Sequence, residues 1–196
     1  FALGSTLSVG SLLAAQLSGS AAWAGSAATF STLGAAASAI PLARLANARG
    51  RRVSLATGAG MAILGAGLVI TAAATHFFPL LLLALFSLGA GSAVGLQARF
   101  AAVDLSGSSS RSTGRDLSTV VWATTVGAVI GPNLFGPGQV LGHALGLPDM
   151  TGPFLITIAS QLSATAVFWF GLRPDPLLVA KQINSSAGGL KPKVSI

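Results

Sequence analysis

The chain has 196 residues, of which 52% are hydrophobic and only 8% are charged, and its mean hydropathy is +0.77. Soluble domains carry about 25% charged residues, so this composition excludes an ordinary soluble enzyme and a disordered protein and indicates a membrane protein. The formal net charge is +7, and the lack of cysteine excludes disulfides, thiolate metal sites and a cysteine nucleophile.

Long uncharged stretches predict transmembrane helices, each about 20 residues long because the hydrocarbon core of a bilayer is about 30 Å thick. No charged residue precedes Arg44 and none lies within 53–98, so each of these stretches holds two spans. The uncharged stretches 117–148 and 151–172 hold one span each. We predict six spans, over about 1–17, 22–43, 53–75, 79–102, 117–141 and 151–172.

The positions of the charges test this span count independently. All 11 basic residues lie at the boundaries that follow spans 2, 4 and 6, with Arg99 in the last turn of span 4, and the loops after spans 1, 3 and 5 hold none. The positive-inside rule places basic loops in the cytoplasm, so both ends of this multi-pass chain are predicted to be cytoplasmic. The basic charge therefore reflects topology and predicts no nucleic-acid partner. The preference for Arg over Lys, with abundant Ala and Gly, indicates the plasma membrane of a bacterium with a GC-rich genome.

Residues 173–196 are predicted to be a cytoplasmic linker. Asp175 is suited to an N-cap and Pro176 to the first helical position, which predicts a short amphipathic helix on the inner leaflet. The chain begins within an apolar run and ends in an open basic tail, so we expect it to be a piece of a longer protein.

Small residues are spread through all the predicted spans, with 25 glycines in the chain. Helices in lipid associate through close backbone approach, which small residues permit. Gly91 and Gly95 form a Gly-x-x-x-Gly pair that fits either packing within the chain or dimerisation. No Asp, Glu or Lys lies at the centre of a span, and no residue pattern predicts a metal site, a cofactor or an enzyme.

Spans 2 and 3 are joined by the run Ala-Arg-Leu-Ala-Asn-Ala-Arg-Gly-Arg-Arg, at 43–52. Taken alone, this run predicts a tight turn in which Gly50 ends a helix and the arginines bind lipid headgroups. The run also resembles the major facilitator superfamily of secondary transporters, whose signature here is Gly-x-x-x-Asp-Arg/Lys-x-Gly-Arg/Lys-Arg/Lys. Gly50, Arg51 and Arg52 match it, whereas Asn47 stands at the position of the aspartate. The resemblance implies that these four residues belong to a gating loop.

The end of span 4 carries Arg99 and Asp104, and an acid among clustered arginines predicts an ion pair. The resemblance implies that Asp104 latches the cytoplasmic gate by pairing with Arg51 or Arg52. Solvation of Asp104 by lipid headgroups is the alternative. The arginine that the family carries in span 4 would fall at Leu85 and is absent.

Span 5 contains Gly127, Gly131 and Pro132. Proline lacks a backbone donor, so we predict a bend there. These residues resemble the Gly-x-x-x-Gly-Pro motif of drug exporters that exchange their substrate for protons. In that interpretation the glycine face of span 5 meets the other half of the transporter.

The resemblance implies an all-α fold of six transmembrane helices in two inverted three-helix repeats, half of a 12-helix transporter. Its partners would be membrane lipid, a second six-helix half and a small amphipathic molecule that is exported by alternating access. The larger polar or aromatic groups of spans 1 and 5 are the candidates for the substrate pocket: Gln16, Trp122, Thr125 and Asn133. The alternative is a six-helix scaffold or partner-binding subunit that transports nothing.

Overall fold

The computed structural model describes the backbone at 2–105 and 110–171, and the side-chain surroundings at 7–99, 114–115 and 117–171. The described chain is helical throughout and holds no β-strand, which agrees with the predicted all-α class. The linker predicted at 173–196 lies outside the described residues. The elements in chain order are α1 (Ala2–Ser18), a 3₁₀ turn (Ala21–Gly25), α2 (Ser26–Arg49), α3 (Arg51–Thr75), α4 (Phe78–Leu105), α5 (Ser110–Asn133), α6 (Phe135–Ala144) and α7 (Gly152–Gly171).

Helix length and composition are those of a multi-pass membrane protein. Four segments within the described residues can each cross a bilayer: Ala21–Arg49, Arg51–Thr75, Phe78–Arg99 and Gly152–Gly171. The pair Leu117–Asn133 and Phe135–Ala144 makes a fifth if it counts as one span, and the apolar part of α1, Leu7–Ser18, is shorter. The count of six spans and their inverted repeat therefore stays a prediction.

Several helices run past the limits of the predicted spans. α2 continues through Pro41 to Arg49, α4 ends at Leu105, and α5 already begins at Ser110. The charges used to delimit the spans mark where apolar surface ends, whereas a helix ends where its backbone changes conformation. The segment 44–49, predicted as part of a connection, is therefore helical.

The span predicted over 117–141 is two helices rather than one. α5 ends at Asn133, one residue after Pro132, and α6 begins at Phe135 with its axis turned by 56°. Pro132 cannot donate the backbone hydrogen bond that would continue the helix. The bend that this proline predicts is present, but it is sharp enough to break the span at Leu134.

α4 lies at the centre of the bundle, where it packs against α2 and α3, while α3 also packs against α7 and α6 lies on α7. Large side chains from four helices meet in the main core and are at most 2% exposed: Leu13, Val69, Leu81, Leu85 and Phe154. A smaller cluster of Leu42, Leu55, Ala93 and Val94 joins α2, α3 and α4 further along the bundle.

Glycines set the spacing between α2 and α4. A Cβ atom added at Gly34 would fall on the carbonyl oxygen of Phe86, and one added at Gly89 would fall on the carbonyl oxygen of Ser31. The two backbones therefore touch at this crossing, the contact that small residues make possible in lipid. The same holds for α6 and α7, because a Cβ at Gly152 would meet the carbonyl group of Gly138.

The Gly91 and Gly95 pair divides between two environments. A Cβ at Gly91 would lie 3.2 Å from the Cβ of Ala62 on α3, whereas one at Gly95 would have open space around it. Gly91 therefore serves packing within the chain, and Gly95 lies on an exposed surface.

The two ends of the bundle differ in their content of basic residues. α3 begins after Gly50 and ends before His76, so these two residues mark opposite ends. The direction of the helices brings Arg99, near the end of α4, and Arg115, near the start of α5, to the same end as Gly50. We call this the basic end, and the end at His76 the opposite end.

Candidate functional site

The corner between α2 and α3 consists of one residue. Gly50 has φ 93° and ψ 165°, a backbone conformation that L-residues with a side chain rarely adopt, and its N–H donates to the carbonyl oxygen of Ala46 at 2.9 Å. The residue is buried, and the two helices leave it directly. The expectation that Gly50 ends a helix is confirmed.

Arg51 and Arg52 occupy the first turn of α3. The N-terminus of a helix carries a partial positive charge, so cations there are locally unfavourable. The two arginines therefore do not serve to stabilise α3 by itself, and their place at the corner needs a reason outside the helix.

Trp169 supplies a contact for one of them. The guanidinium carbon of Arg52 lies 4.0 Å from the centroid of the Trp169 ring, in a cation–π contact between the start of α3 and the end of α7. Sequence reasoning did not select Trp169. The sequence does contain a signal that could have indicated this contact. Basic residues occur only in every second loop, which places the end of span 6 and the start of span 3 on the same side of the membrane.

A buried polar cluster ties α2, α3 and α4 together two residues beyond Arg52. Ser54 is fully buried and Gln97 is 7% exposed. The Ser54 Oγ atom lies 2.6 Å from the carbonyl oxygen of Leu42 and 2.8 Å from the Gln97 Oε1 atom. Sequence reasoning missed this cluster, since Ser and Gln at this spacing carry no recognisable pattern.

The geometry of this cluster assigns the orientation of the Gln97 amide. A hydroxyl has one proton, so Ser54 cannot donate to two acceptors, while Gln97 Nε2 is buried and has no hydrogen-bond partner among the described residues. Both difficulties disappear if the amide oxygen and nitrogen are exchanged, a choice that the hydrogen-bond network decides. Gln97 Nε2 then donates to Ser54 Oγ, which donates to the carbonyl oxygen of Leu42.

The four candidates for the substrate pocket do not form one site. Trp122 and Thr125, one helical turn apart on α5, line an open cavity of about 580 Å³. Gln16 lines a different cavity at the opposite end of the bundle. Asn133 lines neither, and its Nδ2 atom donates to the carbonyl oxygen of Val129 at 2.8 Å within its own helix.

Two curated proteins of Bacillus subtilis (strain 168) are similar to the chain. The uncharacterized MFS-type transporter YdeG is 39% identical over 184 residues, and the uncharacterized MFS-type transporter YddS is 38% identical over 184 residues. Each alignment covers 94% of this chain and 42% of the relative. Over nearly its whole length the chain is similar to proteins named as members of the major facilitator superfamily. No protein-family model and no solved structure matches it.

This similarity agrees with the resemblance found at the corner between α2 and α3. The relatives are named as transporters and not as enzymes, which agrees with the predicted absence of enzymatic activity. The similarity to proteins named as transporters does not favour the alternative of a scaffold that transports nothing. The chain spans less than half the length of each relative, in keeping with one half of a superfamily member.

The signature residues of the superfamily lie at the basic end. Asn47 is exposed on the last turns of α2, and Arg51 and Arg52 are half-buried at the start of α3. Arg99 is also half-buried, and its Nε atom has no hydrogen-bond partner among the described side chains. The side chain of Asp104 lies outside the described residues, so the latch between Asp104 and the corner stays a prediction.

The residues of the glycine motif of span 5 differ in their burial. Gly131 is buried within this chain, Gly127 is half-buried, and Pro132 is exposed. α5 packs against α1 and α4. The contact of this glycine face with a second half stays a prediction, and the exposed surface of α5 also carries Trp122 and Val129.

Proposed function

We propose that the chain is the N-terminal half of a secondary active transporter that exports a small amphipathic molecule by alternating access. The observation that carries this proposal is the identity of 38–39% over nearly the whole chain to proteins named as MFS-type transporters. We further propose exchange for protons, which the Gly-x-x-x-Gly-Pro motif of α5 supports. The membrane would be the inner membrane of a bacterium, with the basic end in the cytoplasm.

The tight helix contacts support movement of this half as a unit. Alternating access in transporters is largely a rocking of rigid bundles around a central site. Backbone contact at Gly34 and Gly89, and again at Gly138 and Gly152, leaves little room for these helices to slide. Rocking of the whole half is therefore favoured over rearrangement within it.

The exposed apolar surface of α5 supports a second half as the partner of this one. Val121, Trp122 and Val129 are 41%, 69% and 63% exposed. A large apolar surface beside an open cavity is typical of an interface or a binding site. The missing half and membrane lipid would cover this surface in the proposed transporter, with substrate bound near Trp122 and Thr125.

The corner at Gly50 is proposed to act as the cytoplasmic gate. Arg51 and Arg52 lie where the N-terminus of α3 disfavours positive charge, so a carboxylate such as Asp104 would gain by pairing with them. Trp169 holds Arg52 in place while the gate is closed. Opening would exchange these contacts for solvent and lipid headgroups.

Export is tested with the full-length gene expressed in bacterial cells. We expect ethidium, a fluorescent amphipathic cation, to leave these cells faster than cells with an empty vector, and a protonophore to abolish the difference. Arg52→Gln should slow efflux by about tenfold or more, because a gate contact of about 1.4 kcal/mol corresponds to a factor of ten. Arg115→Gln changes an exposed arginine at the same end and should not slow efflux. Efflux equal to that of the empty vector, with the protein present in the membrane, contradicts the proposal.

Orientation is tested by cysteine labelling in a full-length protein without other cysteines. We expect Leu145→Cys, exposed at the opposite end, to react with an impermeant thiol reagent in intact cells. Arg49→Cys, exposed beside the corner, should react only after the cells are opened, because basic loops stay in the cytoplasm. The reverse pattern of labelling would invert the proposed topology.

A further inference from the structure

A second cavity lies at the opposite end, where the ends of α1 and α3 meet the connection between α6 and α7. It has a volume of about 240 Å³, which is smaller than a pocket for a drug-sized ligand. Four of its lining residues are apolar and three are polar: Leu13, Leu17, Ala73, Pro148, Gln16, His76 and Asp149. An apolar wall with a few polar groups is the usual composition of a small-molecule site.

The backbone beside this cavity adopts conformations that side chains disfavour. Among the described residues other than glycine, positive φ occurs at His76 (52°) and Met150 (65°). His76 lines the cavity, and Met150 follows Asp149, which lines it too. The Met150 N–H donates to Gln139 Oε1 at 3.1 Å, which fixes this connection. Such outliers cluster at functional sites, because glycine would adopt the same conformation at lower cost.

The electrostatics of the opposite end favour a cation. Asp149 is exposed there, and its Oδ1 atom lies 3.7 Å from Nε2 of His143. The described arginines all belong to the basic end, so none of them neutralises this carboxylate. α1, α3 and α6 direct their C-termini to this end, and α2, α4 and α7 direct their N-termini to it. The partial charges of the helix ends therefore oppose one another, and the preference for a cation rests on the carboxylate of Asp149.

We propose that this cavity binds a small organic cation, with its ammonium group at Asp149 and its apolar part against Leu13, Leu17 and Ala73. Gln16 Oε1 would accept a hydrogen bond from the ammonium group. As a statement about the substrate class the inference rests on the proposed export function, since a cation bound at the outer end would be a molecule on its way out. Binding itself does not depend on transport.

Calorimetric titration of the purified full-length protein tests the charge preference. The probes are 2-phenylethylammonium and 2-phenylethanol, which have the same number of heavy atoms and differ in charge. We expect Asp149→Asn to weaken binding of the ammonium probe by about two- to fivefold, as loss of an exposed ion pair predicts, and to leave binding of the alcohol unchanged. Thr75→Val, an exposed position of α3 that does not line the cavity, is the control. Equal affinities of the parent and Asp149→Asn for the ammonium probe overturn the proposal.

Cysteine protection tests the location. The ammonium probe should slow the reaction of Leu17→Cys with a thiol reagent and leave that of Leu145→Cys unchanged. Binding that depends on Asp149 without protection of position 17 would place the site elsewhere and overturn the proposal. Protection without any ethidium efflux would contradict the export function and leave the site intact, so the two failures are distinguishable.

Discussion

Gly34→Ala is expected to destabilise the bundle by about 3 kcal/mol or more, the upper part of the range for inserting atoms into a packed interior. The added methyl group would fall on the carbonyl oxygen of Phe86, which belongs to the backbone of α4 and cannot rotate away. α2 and α4 would have to separate, and α4 also packs against α1, α3 and α5. Contacts between helices in lipid depend on this close approach.

The measurement is the thermal midpoint of the full-length protein in detergent. Gly60→Ala is the matched control, because it is also a helical glycine but a Cβ there would have no neighbour within 4 Å. Alanine favours helix over glycine by about 1 kcal/mol, so this variant should be as stable as the parent or slightly more so. Equal midpoints for the two variants would show that the crossing of α2 and α4 is not tightly packed.

Ser54→Ala is expected to cost about 1–3 kcal/mol, the penalty for a buried polar group that loses its partner. Without the hydroxyl, the amide of Gln97 stays buried with nothing to bind on that side. Gln97→Leu should cost less, because Ser54 keeps the carbonyl oxygen of Leu42 as its acceptor. The exposed Thr57→Val on the same helix should have little effect.

The double variant with Ser54→Ala and Gln97→Leu tests whether the hydrogen bond between these side chains, rather than loss of packing alone, causes the destabilisation. Its destabilisation should be smaller than the sum of the two single changes, because no buried amide remains without a partner. Denaturation of the purified protein measures all three variants against the parent. Strict additivity would show that Ser54 and Gln97 do not interact.

The sequence was sufficient to predict the helices and the corner, for physical reasons that do not depend on packing. The helical spans follow from the lengths of the uncharged stretches. The corner at Gly50 needs a positive φ, which glycine adopts readily. The bend near Pro132 follows from the backbone donor that proline lacks. Helix limits were less predictable, since α2 runs on to Arg49 where the apolar surface has already ended.

The contacts between helices could not be predicted in the same way. These helices are apolar on all sides, so periodicity does not tell which face of α4 carries Gly89 against α2. Ser54 and Gln97 are 43 residues apart, and nothing in either segment marks the other as its partner. For the same reason Gln16 was grouped with Trp122 and Thr125, although it lines a separate cavity. The residues that line this cavity are far apart in the sequence, and only the fold brings them together.

The three tryptophans of the chain lie at three different levels of the bundle. Trp23 packs edge-on against Phe78 at the opposite end, with ring centroids 5.3 Å apart, Trp122 is exposed beside the open cavity, and Trp169 lies under Arg52. Each indole therefore has a distinct neighbour that affects its fluorescence. Variants that keep one of the three would give an optical reporter for the outer end, the middle or the basic end of the protein. Opening at one end and closure at the other could then be followed in time, without an attached dye.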